Sequence, residues 1–179
     1  MDGMRRIARP AWQPGEGDHV VVCDGAMGTM LHSAGVPLDS SLCELNLTRS
    51  SLVRDLHAAY LAAGAQLVQT NTFDANRLRL ARFGLEDSVV EINIAGARLA
   101  REAVADGSAL VAGSVGPALG GNLVRRVPPG ERAAVLREQI AALADWVDVL
   151  VLETSATPSH SRTRSRSRSP SATSRSWRS

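Results

Sequence analysis

The chain has 179 residues, 44% of them hydrophobic, with a formal net charge of +2. That length allows one domain with a real core, and no apolar run is long enough to span a bilayer as a helix. Six of the 20 basic residues, all arginines, fall after residue 153; residues 1–153 keep 14 basic against 18 acidic residues, a net of −4. The basic character therefore belongs to the tail, and the body gives no reason to expect specific nucleic-acid binding. Residues 1–18 carry arginines but no apolar h-region, so they read as a loose lead-in rather than a signal peptide, and the expected location is cytoplasmic. Cys23 and Cys43 stand apart from any CxxC or Cys/His cluster, which argues against a zinc or redox motif and against a disulfide framework.

The first predicted strand is Val20-Val21-Val22-Cys23, a short β-branched run ending in Asp24-Gly25-Ala26-Met27-Gly28-Thr29. Cys23 inside it reads as a small buried hydrophobe. A carboxylate followed by glycines at a strand's carboxyl end is where parallel α/β proteins place binding chemistry. A loop with turn signals at Gly35, Pro37 and Asp39 leads through Cys43 to Thr48. Thr48 or Ser50 can cap a helix Ser51–Ala63, whose apolar stripe is Leu52, Leu56, Ala59, Tyr60 and Ala63, with Gly64 as terminator.

Strand two, Gln66–Asn71, runs into the polar cluster Thr70-Asn71-Thr72. A short helix around Ala75–Arg82 ends at Gly84, and a long helix Asp87–Ala105 places Val90, Ile94, Ala97 and Ala100 at helical spacing. Strand three, Ala109–Ser114, enters Val115-Gly116-Pro117 and a Gly-rich loop. A helix from Glu131 to about Ala144 turns Val135, Leu136, Ile140 and Leu143 inward, and strand four, Val147–Leu152, ends at Glu153-Thr154.

Strands that are apolar along their whole length are buried on both faces, and right-handed crossovers make them parallel. Asp24, Asn71, Ser114 and Glu153 each close one strand. The expected fold is therefore α/β, the first four units of a (β/α)8 TIM barrel over residues 19–154, with a small open doubly wound sheet as the alternative. Residues 155–179 alternate arginine and serine without periodicity and read as a disordered tail.

Five stretches resemble the homocysteine S-methyltransferase family, in family order: Asp24–Met30, Glu44–Thr48, Ala63–Phe73, Gly113–Pro117 and Leu150–Thr154. That family includes the N-terminal barrel of methionine synthase and the enzymes fused to methylenetetrahydrofolate reductase. The resemblance implies zinc-dependent methyl transfer to the thiol of homocysteine, forming methionine, because a metal-bound thiolate is the nucleophile. It implies that Asp24 and Glu153 hold the substrate ammonium. It also implies that the main-chain N–H groups of Gly25, Ala26 and Met27, with the Thr72 and Ser114 loops, suit its carboxylate, and that Asn71 braces the rim. Two carboxylates on neighbouring strand ends repel unless a cation lies between them.

The resemblance leaves the methyl donor open among methyltetrahydrofolate, S-methylmethionine, S-adenosylmethionine and betaine. The family's three zinc cysteines lie in its second half, and Cys23 and Cys43 match none of them. The expectation is thus a family methyltransferase whose chain here binds no zinc and is inactive alone. The alternative is a non-catalytic half-barrel that binds an amino acid, or a polyanion through its Arg/Ser tail. An Arg/Ser alternation in a chain without lysine is what Ala- and Val-rich codons yield when read one base off, so another reading frame after Thr154 is expected to continue the barrel. Unpaired edges at strands one and four predict self-association.

Overall fold

The alternation of apolar runs and helical spacing produces a three-stranded parallel sheet in the computed structural model, which describes residues 20–105, 107, 109–120 and 126–154. Strand β1 (Leu67–Gln69) pairs with β2 (Leu110–Val115) in the register Leu67 to Leu110, and β2 pairs with β3 (Val149–Leu152) in the register Ala112 to Val149. All six residues of β2 are buried, as a central strand covered on both faces requires. The lead-in expected at residues 1–18 and the tail expected at 155–179 lie outside the described residues, as does part of the Gly-rich loop.

The described residues form six α-helices beside the sheet: α1 (Met27–Ser33), α2 (Leu45–Thr48), α3 (Ser50–Ala62), α4 (Arg77–Leu80), α5 (Val89–Ala103) and α6 (Pro129–Leu143). Helix α5 packs against both α3 and α6. Its Ala100 and Val104 meet Val68 and Val111 of the sheet, while Ala97 joins Val115 and Leu143 of α6. A second cluster, Leu31, Val36, Leu45, Val53 and Leu99, locks α1, α2 and α3 to α5. The other face of the sheet gathers Leu67, Leu110 and Ala112 with Val21, Val149 and Val151. Gly64 and Gly84 adopt left-handed φ values of 98° and 70°, which suits helix-terminating glycines.

Several expectations are corrected. The first strand is reduced to one parallel bridge, Cys23 to Leu67, and Val20 is 88% exposed. Its only described neighbour is β1, so one rung holds it: Val22 O accepts from Gln66 N at 2.7 Å and Asp24 N donates to Leu67 O at 2.9 Å. Cys23 is accordingly exposed, whereas Cys43 is buried. The described residues thus contain three strands and a bridge rather than four full units. The loop expected from residue 31 to 48 contains α2 and the end of α1, because Leu31 and Leu45 bury in one cluster.

Neither Thr48 nor Ser50 caps α3: Arg49 takes the N-cap position with no side-chain bond, and the Thr48 hydroxyl returns to Glu44 O at 3.2 Å. The buried faces of two helices are also rotated. In α3, Val53 and His57 are buried while Ala59 and Ala63 are exposed. In α5, Val89, Ile92, Asn93 and Gly96 face inward and Val90 is exposed.

Candidate substrate-binding site

The carboxyl ends of the strands converge on a cavity of about 260 Å³. Asp24 enters it just after the Cys23 bridge, Ser114 from the end of β2, and Glu153 from one residue beyond β3. Gly25, Ala26, Met27 and Asn71 complete the expected set, while Thr72 is fully buried and does not line the cavity. A β-carbon at Gly25 would lie 3.1 Å from the Tyr60 ring, so glycine lets the Asp24 turn sit directly on α3.

The two carboxylates are held differently. Asp24 Oδ2 accepts the Gln69 N–H at 2.8 Å, while its Oδ1 is buried with no hydrogen-bond partner among the described residues. Burial pushes the Asp24 pKa up to about 6, hydrogen bonds from the Gln69 and Asp24 backbone oppose this, and the Glu153 charge adds to it. Glu153 Oε1 accepts the Ser114 hydroxyl at 2.6 Å. The expectation that the two carboxylates sit on neighbouring strand ends is corrected: β1 and β2 lie between the Cys23 bridge and β3, and Asp24 and Glu153 meet only across the shared cavity. A half-buried carboxylate with one oxygen unsatisfied beside a second carboxylate is an arrangement that an incoming cation with N–H donors stabilises.

Asn71 is committed to the scaffold. Its Nδ2 donates to Leu42 O at 2.7 Å and to Asn46 Oδ1 at 3.0 Å, and Asn46 Nδ2 returns a bond to Asn71 O at 2.9 Å. This reciprocal amide pair ties the Leu42 loop to the rim. Residues not anticipated from the sequence are Gln69, Thr70, Cys43 and Asp74, all in the cavity wall, and Asn46 behind it. Asn46 lies inside the Glu44–Thr48 motif, so a signal for it existed. Gln69 and Thr70 lie inside the Ala63–Phe73 stretch, while Cys43 and Asp74 follow only from three-dimensional neighbours. Burial raises the Asp74 pKa, against the lowering effect of Arg79, whose Nε lies 3.3 Å from Oδ1.

The described residues do not fit a zinc site: they contain no group of three or more His, Cys, Asp or Glu able to hold a metal ion. Cys43, the cysteine in the cavity wall, has its thiol pKa pushed up to about 12 by burial, the opposite of what a thiolate ligand needs.

Two carboxylates thus line one cavity at the carboxyl edge of a parallel α/β sheet, the place where such sheets put their binding chemistry. Residues 21–163 match the homocysteine S-methyltransferase family, and the chain belongs to that family. Over 109 residues it is 37% identical to methionine synthase of Mycobacterium leprae (strain TN), a match covering 55% of this chain and 9% of that protein. The crystal structure of the metallated homocysteine methyltransferase MmuM from Escherichia coli is similar with a TM-score of 0.64 and 28% identity, covering 76% of this chain and 54% of that one. The oxidized form gives 0.59 and 29%, covering 73% and 51%. The chain thus spans about half the length of these solved structures.

Proposed function

We propose that this chain carries the homocysteine-binding half of a homocysteine S-methyltransferase (β/α) barrel. One observation supports the reading most: Asp24 and Glu153 face one cavity with the Asp24 Oδ1 lone pairs unused. The substrate ammonium lies between the carboxylates and donates to Asp24 Oδ1. The main-chain N–H groups of Gly25, Ala26 and Met27 take its carboxylate, and the side chain extends over Asn71. Binding of the ammonium offsets the repulsion between Asp24 and Glu153, so affinity falls as Asp24 protonates. A cytoplasmic location fits this reading.

In a complete enzyme of this family zinc would supply a deprotonated thiol as methyl acceptor. The described residues do not assemble that ligand set, so the part of the reaction assigned to this chain's own residues is holding the amino acid. The methyl donor stays open among methyltetrahydrofolate, S-methylmethionine, S-adenosylmethionine and betaine.

Isothermal titration of the full chain with L-homocysteine tests the reading. Saturable binding at pH 7.5 is expected, weakened about tenfold or more by Asp24→Asn, since one charge-assisted hydrogen bond is lost. No binding by the folded chain, or full binding by Asp24→Asn, contradicts it. Metal analysis of the same sample and a methyl-transfer assay with each donor separate binding from catalysis.

A further inference from the structure

We propose that Thr70 and Thr72 are positioning residues for Glu153: their hydroxyls close a hydrogen-bonded ring around the Ser114 peptide, and Ser114 in turn aims the Glu153 carboxylate. The inference deepens the amino-acid-binding reading and rests on it only for the identity of the ligand.

The ring arises where β1 stops short. Its last rung to β2 is Thr70 N to Ala112 O at 2.8 Å. In a continued parallel ladder the next rung would run from Ser114 N to Thr70 O. That carbonyl instead accepts Thr72 N at 2.8 Å in a tight turn, so the buried Ser114 peptide would lack partners on this side. Side chains replace the missing strand. Ser114 N donates to Thr70 Oγ1 at 3.1 Å, and Thr72 Oγ1 donates to Ser114 O at 2.8 Å.

The two hydroxyls also lie 2.6 Å apart, and proton counting fixes the direction of that bond. Each hydroxyl has one proton. The Thr72 proton goes to Ser114 O, so Thr70 is the donor between the pair. The ring is then directional: Ser114 N–H to Thr70, Thr70 O–H to Thr72, Thr72 O–H to Ser114 O. Every donor in it has an acceptor, and such chains polarise cooperatively. Gln139 of α6, fully buried, donates to Thr72 O at 2.6 Å and anchors the turn from behind.

The ring matters because Glu153 has little else to orient it. It lies just past β3 and before Thr154, which adopts a left-handed φ of 56°. Its backbone is fixed by Glu153 N to Val115 O at 3.1 Å, and its carboxylate by the Ser114 hydroxyl. Thr72, expected to touch substrate, acts one layer further back.

The test compares Thr70→Val and Thr72→Val, which keep shape and remove the hydroxyl, with Thr70→Ser and Thr72→Ser, which keep it. L-Homocysteine affinity is measured by titration of the full chain, and the Asp24 carboxyl is followed by ¹³C NMR against pH. Asp24 shares the cavity with Glu153, Asp74 and Cys43, and of these only Glu153 hangs from the ring. The valine variants are expected to bind about tenfold more weakly and to titrate Asp24 at lower pH as Glu153 moves away. The serine variants are expected to restore both. Ser114→Ala cuts the final link without touching the ring and is expected to reproduce both effects if a valine variant fails to fold. Valine variants or Ser114→Ala with unmoved affinity and unmoved Asp24 titration overturn the proposal, as do serine variants impaired as much as valine ones. Failure of the wild-type chain to bind homocysteine overturns the ligand assignment alone, because the Asp24 titration still reads the ring.

Discussion

Two buried titratable residues push the acid stability of the chain in opposite directions. Asp24 has a folded pKa of about 6 against 3.8. The native state therefore binds more protons than the unfolded state between those values, and stability falls as pH rises from about 4 to about 6. The limit for two units is about 3 kcal/mol, reduced because Asp24 is only half-buried. Asp24→Asn should therefore raise stability by about 1 kcal/mol at pH 7.5 and leave it unchanged at pH 3.5, read from urea unfolding at both values. A site that is more stable without its charge is expected where binding, rather than folding, uses that charge.

His57 acts with the other sign: burial lowers its pKa from 6.5 to about 4, and neither ring nitrogen has a hydrogen-bond partner among the described residues. Its stabilising neutrality is complete above pH 6.5 and is lost as pH falls toward 4, by up to about 3 kcal/mol. His57→Leu removes two orphan nitrogens from the α3 face and should flatten that acid limb, raising the unfolding midpoint at pH 4.5 more than at pH 8. An unchanged difference between the two pH values would show that His57 is not the titrating group.

At the level of elements, the contact between α2 and α5 depends on one small residue. A β-carbon at Gly96 would lie 2.5 Å from Asn46 Nδ2 and 2.9 Å from the Thr72 methyl. Asn46 cannot swing away, because its amide already bonds Asn71 O and Ile92 O. Gly96→Ala should cost about 1–3 kcal/mol by overpacking and loosen the Asn71 rim, so homocysteine affinity should fall along with stability. Loss of stability with unchanged affinity would separate the α2–α5 contact from the rim.

The same contact explains how much of the fold was legible. Helices α3, α5 and α6 and strands β2 and β3 followed from period, helped for α3 by the glycine that ends it, because those signals are local. The orientation of α3 and α5 did not. In α5, Val89 and Ile92 bury against Cys43, Ala75 and Leu80 while Gly96 lies against Asn46 of α2, so the inward face takes in these residues and leaves Val90 exposed. Asp24, Ser114 and Glu153 were legible as polar residues ending apolar strands. The roles of Thr70, Asn46 and Gln139 were not, although the first two lie inside the quoted stretches, since those roles depend on which distant backbone group each meets.

At the scale of the molecule, both edges of the sheet lack a partner strand among the described residues. No described residue pairs with the outer edge of β3, where Leu152 is 38% exposed. At the opposite edge Val20 and Val22 are 88% and 52% exposed, the segment being tied to β1 by the Cys23 bridge and by hydrogen bonds between Val22 and Gln66. An apolar edge with free N–H and C=O groups is a template for another strand, and neither edge carries a lysine or proline to prevent pairing. A second copy of the chain offers strands of matching length and hydrophobicity, so the expected behaviour is reversible self-association. Sedimentation velocity over a hundredfold concentration range should show the weight-average mass rising. Val22→Lys and Leu152→Lys place a charge on either edge without touching the cavity, whose described wall contains neither residue. Each should shift association toward monomer by about tenfold while leaving homocysteine affinity unchanged, since one buried lysine at a strand contact costs roughly the 1.4 kcal/mol that a factor of ten requires. A wild-type chain that stays monomeric throughout and unfolds cooperatively would show instead that both edges are protected within one molecule.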